Sequence, residues 1–345
     1  MSVTMRAGSA RRISLPDVRG PWTEALYCIL RGQAADHPDL PRLPPGDVLC
    51  DHDAQLALYL CYELHYSEVE GVDPRLEWSP AILALRGALE HEFEAALRRL
   101  VGDESPVGAS VGDELQRLVR EDDGPPLSRF IERQGEVEHL LEHVVHRSAY
   151  QLKEADPHSW AIPRLTGAPK AALVEIQADE YGGGRPDRIH AALFANTMDG
   201  LGLDSRYGAY LEWLPGITLA TVNLMSLCGL HRRLRGAIAG HLAVFEMTSS
   251  IPNRRYANGA RRLGFGPRVT DFYDEHVEAD AVHESIAAWD LANALARAEP
   301  EIASDILFGA RALLALEARW AEHLLSSWRR GETSLLRPLD RAASR

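Results

Sequence analysis

The spacing of apolar residues constrains the fold of this chain more than any other feature. Across most of the 345 residues, apolar side chains recur three and four positions apart, which is the period of an amphipathic helix. Runs of alternating Val, Ile, Thr and aromatic residues, which would indicate strands, are nearly missing. The sequence therefore predicts an all-α protein.

Caps and helix breakers place the predicted helices. Ser79 and Pro80 form an N-cap followed by proline in the first turn. A polar, turn-rich stretch at 103–126 predicts a boundary between an N-terminal helical region, 1–115, and a larger bundle, 120–335. The predicted helices cover 51–66, 80–102, 127–155, 167–181, 187–199, 216–247, 252–263, 268–297 and 300–329, with bounds good to about two to four residues.

Charge and composition narrow the classes of function. Fifty acidic and 37 basic side chains give a net charge of −13, which would repel phosphate backbones and anionic lipid headgroups. Neither a nucleic-acid partner nor a membrane partner is expected. The four cysteines are scattered without a C-x-x-C pair, which is typical of reduced thiols in a cytosol. No run of 18 apolar residues or secretory signal is found, so the sequence predicts a cytoplasmic protein.

The stretch from Asp271 to Glu284 carries the strongest chemical signal. His276, Asp280 and His283 follow an H-x3-D-x2-H spacing inside a predicted helix. Positions i, i+4 and i+7 share one face of such a helix. Two imidazoles and one carboxylate on one stripe suit iron, manganese or zinc. A helix with exposed or structural histidines would give the same pattern, and for the triplet alone that alternative stays open.

Two segments further upstream offer additional ligands. In 173–194 a helical pattern meets three glycines and then restarts, so that Glu180 and His190 can point into one cavity across the break. Glu154 stands near the end of the acidic, histidine-rich stretch 136–160. Taken alone, Glu154 and Glu180 are each also consistent with a solvent-exposed glutamate at the end of a helix.

One pair of residues points to a different bundle. Glu136 and His139 form an E-x-x-H pair, the unit that ferritin-like bundles use twice around a di-iron site. No second pair completes the motif, which disfavours ferritin-like architecture. Supporting or structural roles are therefore expected for Glu136, His139, His143 and His146.

In their order and spacing, these residues resemble the haem-oxygenase-like di-iron oxidases and oxygenases, a family of iron-containing redox enzymes. The resemblance covers about residues 120–335 and implies a haem-oxygenase-like helical bundle behind an N-terminal helical subdomain. The Glu-x9-His and His-x3-Asp-x2-His spacings look most like those of the N-oxygenating, N-nitrosourea-forming members. Carried over position by position, the resemblance implies a metal-ligand set of Glu154, Glu180, His190, His276, Asp280 and His283.

The same resemblance implies a chemistry. It implies an enzyme that holds two irons per chain, with manganese as an alternative at one position, and that draws on O2 and an external electron donor. The expected substrate is a small amino-acid-like or acyl molecule, which would be hydroxylated, N-oxygenated, desaturated or cleaved in a biosynthetic pathway. The N-terminal region is a candidate dimerisation layer of a homodimer.

Two other functions stay open on sequence grounds. One is a metal-free oxidase on the same haem-oxygenase-like bundle, and the other is a helical binding or scaffold protein with structural histidines. Glu246 lies outside the predicted ligand set. Five arginines can either pair with a substrate carboxylate or balance an acidic surface, and these are Arg232, Arg233, Arg235, Arg254 and Arg255.

Overall fold

The computed structural model describes residues 11–33, 40–42, 46–102 and 110–339, with the side chains at 279–281 outside that description. Within these ranges the chain is almost entirely helical, so the predicted all-α class is confirmed. Two short parallel strands, β1 (Arg12–Ile13) and β2 (Glu68–Val69), pair near the N-terminus. The α-helices are α1 (Pro21–Leu30), α2 (His52–Glu63), α3 (Pro80–Val101), α4 (Val111–Glu121), α5 (Leu127–Arg133), α6 (Val137–Gln151), α7 (Asp156–Ser159), α8 (Gly167–Glu180), α9 (His190–Gly200), α10 (Gly216–Leu230), α11 (Arg235–Arg262), α12 (Pro267–Ser285), α13 (Ala294–Ala298) and α14 (Ala303–Arg329).

Local sequence explains where several helices begin and end. The Asp51 carboxylate accepts hydrogen bonds from the first backbone N–H groups of α2, which would otherwise lack partners. Proline occupies the first turn of α3 and α12, where its missing N–H costs nothing. Gly102 ends α3, as predicted, and has a φ of 66°.

The structure differs from the predicted helices at three places. The predicted helix 127–155 is interrupted at 134–136, where the N–H groups of Gln134 and Gly135 both bond to the Phe130 carbonyl and close α5. The predicted break before Pro252 is wrong: the chain turns at 231–234 and α11 then continues through the proline. Proline removes one hydrogen bond of a helix, and the packing of α11 against α12 and α14 compensates for that loss.

The third difference lies after α12. The predicted helix 268–297 is α-helical only to Ser285, continues as a π-helix at Ile286–Asn293 and ends as α13. The π-helix packs against α8 and α11. A widened turn of this kind is frequent near functional sites, and apolar periodicity alone does not reveal it.

Helix α11 lies at the centre of the bundle. Gly240 and Gly309 let α11 and α14 approach so closely that a Cβ on Gly240 would lie 1.8 Å from the Ile306 carbonyl oxygen. In the N-terminal region, α2 packs on α10 and α3 packs on α14, and their apolar side chains join the same core cluster as the bundle. The division into 1–115 and 120–335 stays a prediction. Among the described residues, no helix has the length and apolar content to cross a membrane.

Candidate metal centre

Glu154 lies in the turn that follows α6. The next residue, Ala155, has a φ of 75°, which is uncommon for a residue with a Cβ and is typical of strained functional segments. The preceding residue, Lys153, forms an ion pair with Glu63 of α2, and both side chains are fully buried. This buried pair fixes the turn and so positions the Glu154 carboxylate.

A glycine loop brings Glu180 and His190 together. Glu180 is the last residue of α8 and His190 is the first residue of α9. Between them Gly182, Gly183 and Gly184 have φ values of 76°, 57° and 83°, a region that glycine enters without steric cost. The chain reverses there, and His190 Nδ1 lies 2.9 Å from Glu180 Oε2.

Helix α12 adds a third donor to this group. His276 Nε2 lies 3.5 Å from Glu154 Oε1, and its ring centroid is 4.4 Å from that of His190. His276 Nδ1 lies 2.8 Å from the Phe272 carbonyl oxygen. Because a carbonyl only accepts, Nδ1 donates this hydrogen bond, and Nε2 is the nitrogen that faces the site. One ligand atom from each of Glu154, Glu180, His190 and His276 lies within 4.8 Å of the others, and all four residues are buried.

A second group shares one residue with the first. Glu180, Glu246 and His283 are buried and each place one ligand atom within 4.8 Å of the other two. His283 Nδ1 lies 3.6 Å from Glu246 Oε2, and Nε2 lies 3.1 Å from the exposed Asp179. Because Glu180 belongs to both groups, its carboxylate stands between two adjacent clusters of ligands. Glu180 can therefore serve as a ligand in either group.

The structure thus brings five of the six predicted ligand residues together. Asp280 lies between His276 and His283 on α12, but its side chain falls outside the described residues, and its role stays a prediction. Glu246 was not predicted. Its sequence signal is a carboxylate at the end of the apolar stretch 237–245, whose burial at 4% exposure requires a partner.

Charge interactions within the centre shift the pKa values of Glu180 and His283. Burial raises the pKa of Glu180, but the nearby imidazoles of His190, His276 and His283 outweigh it and lower that pKa to about 2. Burial lowers the pKa of His283, whereas Glu246 and Asp179 raise it to about 9. Hence Glu180 is ionised at neutral pH, and His283 is protonated when no metal is bound.

The donor set fits iron. Glu154, Glu180 and Glu246 are three buried carboxylates in one place, an arrangement that is costly unless cations neutralise it. Within the part of the chain that the structure describes, Glu154 Oε2 is buried without a hydrogen-bond partner. Mixed imidazole and carboxylate ligands are those that non-haem iron prefers.

Other residues singled out from the sequence lie away from these groups. His139 accepts a hydrogen bond from the backbone of Glu136 at the start of α6, and His146 bonds to Thr218 and Ser334. Tyr181 directly follows Glu180 in the chain, and its hydroxyl contacts Asp156 and Ser159. These contacts are structural.

Comparisons with known proteins bear on the family and the fold of this chain. The family described as iron-containing redox enzymes matches residues 141–318. Nitrosourea synthase from Streptomyces achromogenes subsp. streptozoticus is 28% identical over 137 residues, which are 39% of this chain and 29% of that protein. The crystal structure of a CADD-like protein of unknown function from Nostoc punctiforme superposes with a TM-score of 0.50 at 16% identity, over 63% of this chain and 96% of that one. The predicted haem-oxygenase-like bundle is thereby confirmed.

Proposed function

Because this chain belongs to the family of iron-containing redox enzymes, we propose that it is a non-haem di-iron oxidase or oxygenase. The observation that carries the proposal is the position of Glu180 between two groups of buried ligands. One iron would be held by Glu154, His190 and His276, the other by Glu246, His283 and, as predicted, Asp280. Glu180, which belongs to both groups, would help to hold both irons.

When bound, the irons supply redox chemistry with dioxygen, which amino-acid side chains cannot perform alone. The protein orients the ligands and neutralises charge. The Phe272 carbonyl fixes the tautomer of His276, while the pair of Lys153 and Glu63 fixes the turn that carries Glu154. His283 has to release a proton before either of its ring nitrogens can bind a metal.

The surroundings of the centre exclude bulk water. Beside Glu154, Glu180, Glu246 and His276 there is a void of about 10 Å³, which is close to the space that one water molecule needs. Leu242 and Phe245 contribute its apolar wall. A void of this size is too small for an organic substrate, which would have to reach the centre from a neighbouring cavity.

The substrate is proposed to be a small molecule that is hydroxylated, N-oxygenated, desaturated or cleaved, with electrons from an external donor. Nitrosourea synthase supports N-oxygenation among these outcomes, but the aligned stretch spans only 29% of that protein. Manganese in place of one iron is compatible with the same ligands.

Oxygen uptake by metal-loaded protein tests this function. Protein loaded with ferrous iron should consume oxygen when a chemical reductant is supplied, and zinc-loaded protein should not. Glu180→Gln should abolish most of the uptake, whereas Glu278→Gln, an exposed position of α12, should leave it unchanged. Equal uptake by the iron and zinc forms would contradict an iron-dependent oxidase.

A further inference from the structure

A large cavity adjoins the candidate metal centre. Its volume is about 620 Å³, which is within the range of small-molecule sites. Phe245 and Ser249 of α11 line both this cavity and the small void beside the metal ligands. These two side chains therefore separate the cavity from the place where the irons would bind.

The sequence of α11 explains why space remains here. Thr248, Ser249 and Pro252 line the cavity and leave it unfilled because they are small. Pro252 has no N–H to donate to the Thr248 carbonyl one turn earlier. In addition, the Thr248 hydroxyl donates a hydrogen bond to the Val244 carbonyl at 2.7 Å, a contact that often bends helices.

The inner wall is aromatic. Tyr256, Tyr273 and Trp320 line the cavity together with Phe245. The guanidinium of Arg147 lies 3.9 Å from the centroid of the Trp320 ring. Arg147 and Trp320 therefore form a flat face that can pack against an apolar or planar ligand.

Polar groups on this wall lack partners. The Tyr273 hydroxyl and His143 Nδ1 are buried and make no hydrogen bond to any described residue, although such groups normally have one. Tyr273 is 1% exposed and His143 is 2% exposed. Both residues belong to the lining of the cavity, although these two atoms are themselves covered.

The cationic groups of the cavity differ in what they contact. Arg147 is neutralised by Glu317, with Nη1 2.9 Å from Oε1. Arg255 contacts the Ser128 hydroxyl at 3.3 Å, and no carboxylate of the described residues lies within ion-pair distance of it. Arg129, Asp122 and Asp123 also line the cavity, but all three are exposed and solvent screens their charges.

We propose that this cavity binds the substrate and that the substrate is a small carboxylic acid. Its carboxylate would bind the guanidinium of Arg255, and its body would lie along Tyr256, Tyr273 and Trp320 toward Phe245. Guanidinium groups bind carboxylates through two parallel hydrogen bonds. The assignment of the cavity to a substrate rests on the proposed function, whereas the preference for a carboxylate rests on Arg255. The other arginines singled out from the sequence are less suitable, since Arg233 and Arg235 are ion-paired with Glu94 and Glu299.

Calorimetric titration with a matched pair of probes tests the proposal. The full-length protein, under anaerobic conditions, is titrated with 3-phenylpropanoate and with its neutral amide. The acid should bind once per chain and about tenfold or more tighter than the amide, because the charged hydrogen bonds exist only with the acid. Arg255→Gln should remove this preference, and Arg255→Lys should keep part of it.

Arg254→Gln is the matched control, since Arg254 is exposed and does not line the cavity. Circular dichroism of each variant verifies that the helices are intact. Failure of the acid to bind, equal binding of acid and amide, or an equal loss in Arg254→Gln would each overturn the proposal. Iron content measured on the same samples separates the two claims: two irons per chain with no preference for the acid refutes only the carboxylate site, whereas absence of iron refutes the proposed function.

Discussion

Replacing Glu180 by glutamine should disturb both metal positions at once. Glu180 is shared by the two groups of ligands, so its loss leaves Glu154, His190 and His276 in one group and Glu246, His283 and, as predicted, Asp280 in the other. Each position then loses an anionic ligand, and three side chains hold a metal ion more weakly than four. Iron content should therefore fall from two per chain to one or fewer.

The magnitude follows from the position of the residue. Loss of an outer-shell partner of a metal ligand typically weakens metal binding about 10- to 100-fold. Loss of a direct anionic ligand should lower the affinity for iron by at least that factor at any position that still binds it. Anaerobic equilibrium dialysis against ferrous iron, followed by metal analysis, measures both stoichiometry and affinity. Glu154→Gln and Glu246→Gln should each weaken a single position.

Glu175→Gln provides the control for this series, because Glu175 is exposed on the same helix as Glu180. It should bind two irons like the unaltered protein. The reasoning is refuted if Glu180→Gln keeps two irons at unchanged affinity, or if Glu175→Gln loses as much iron as Glu180→Gln does. Helical content by circular dichroism should be the same in all four variants.

Three further outcomes are expected. Gly309→Ala would place a Cβ 1.9 Å from the Ala237 carbonyl oxygen. It should therefore lower the free energy of unfolding, measured by urea denaturation, by about 1–3 kcal/mol or more. An unchanged midpoint of the urea denaturation curve would contradict the close contact between α11 and α14. Burial lowers the pKa of His143 and of His241 well below the usual value, so below about pH 6.5 the unfolded chain binds protons that the folded chain does not. The free energy of unfolding should therefore fall by up to about 1.4 kcal/mol per pH unit for each histidine. An unchanged free energy of unfolding between about pH 6.5 and 5 would show that these side chains are hydrated. Phe245→Ala should join the small void to the large cavity and speed the removal of iron by a chelator, and an unchanged rate would show that Phe245 is no barrier.

The fold class could be predicted because it depends on local periodicity. Apolar spacing indicated helices, and caps such as Ser79 with Pro80 located their starts. The break at 231–234 and the continuous helix through Pro252 could not be predicted, because tertiary packing of α11 against α12 and α14 decides them. Packing against α8 and α11 likewise accompanies the π-helix Ile286–Asn293.

The candidate site was partly predictable for a similar reason. His276 and His283 could be predicted from their spacing on one helix. Glu180 and His190 could be predicted from the glycines between them. Glu246 has no ligand at a characteristic spacing on its own helix, and only the packing of α11 brings it beside His283. The proposed substrate cavity is lined by residues of five helices, α5, α6, α11, α12 and α14, and leaves no local pattern in the sequence.

The central claim is that one chain holds two irons that react with oxygen. Its most direct test is an anaerobic ferrous titration of metal-free protein, followed by rapid mixing with oxygen and absorbance measurements from milliseconds to minutes. The account predicts saturation at two irons per chain and a transient visible absorption band that requires both iron and oxygen. Saturation at one iron or none, with no oxygen-dependent band, would contradict it.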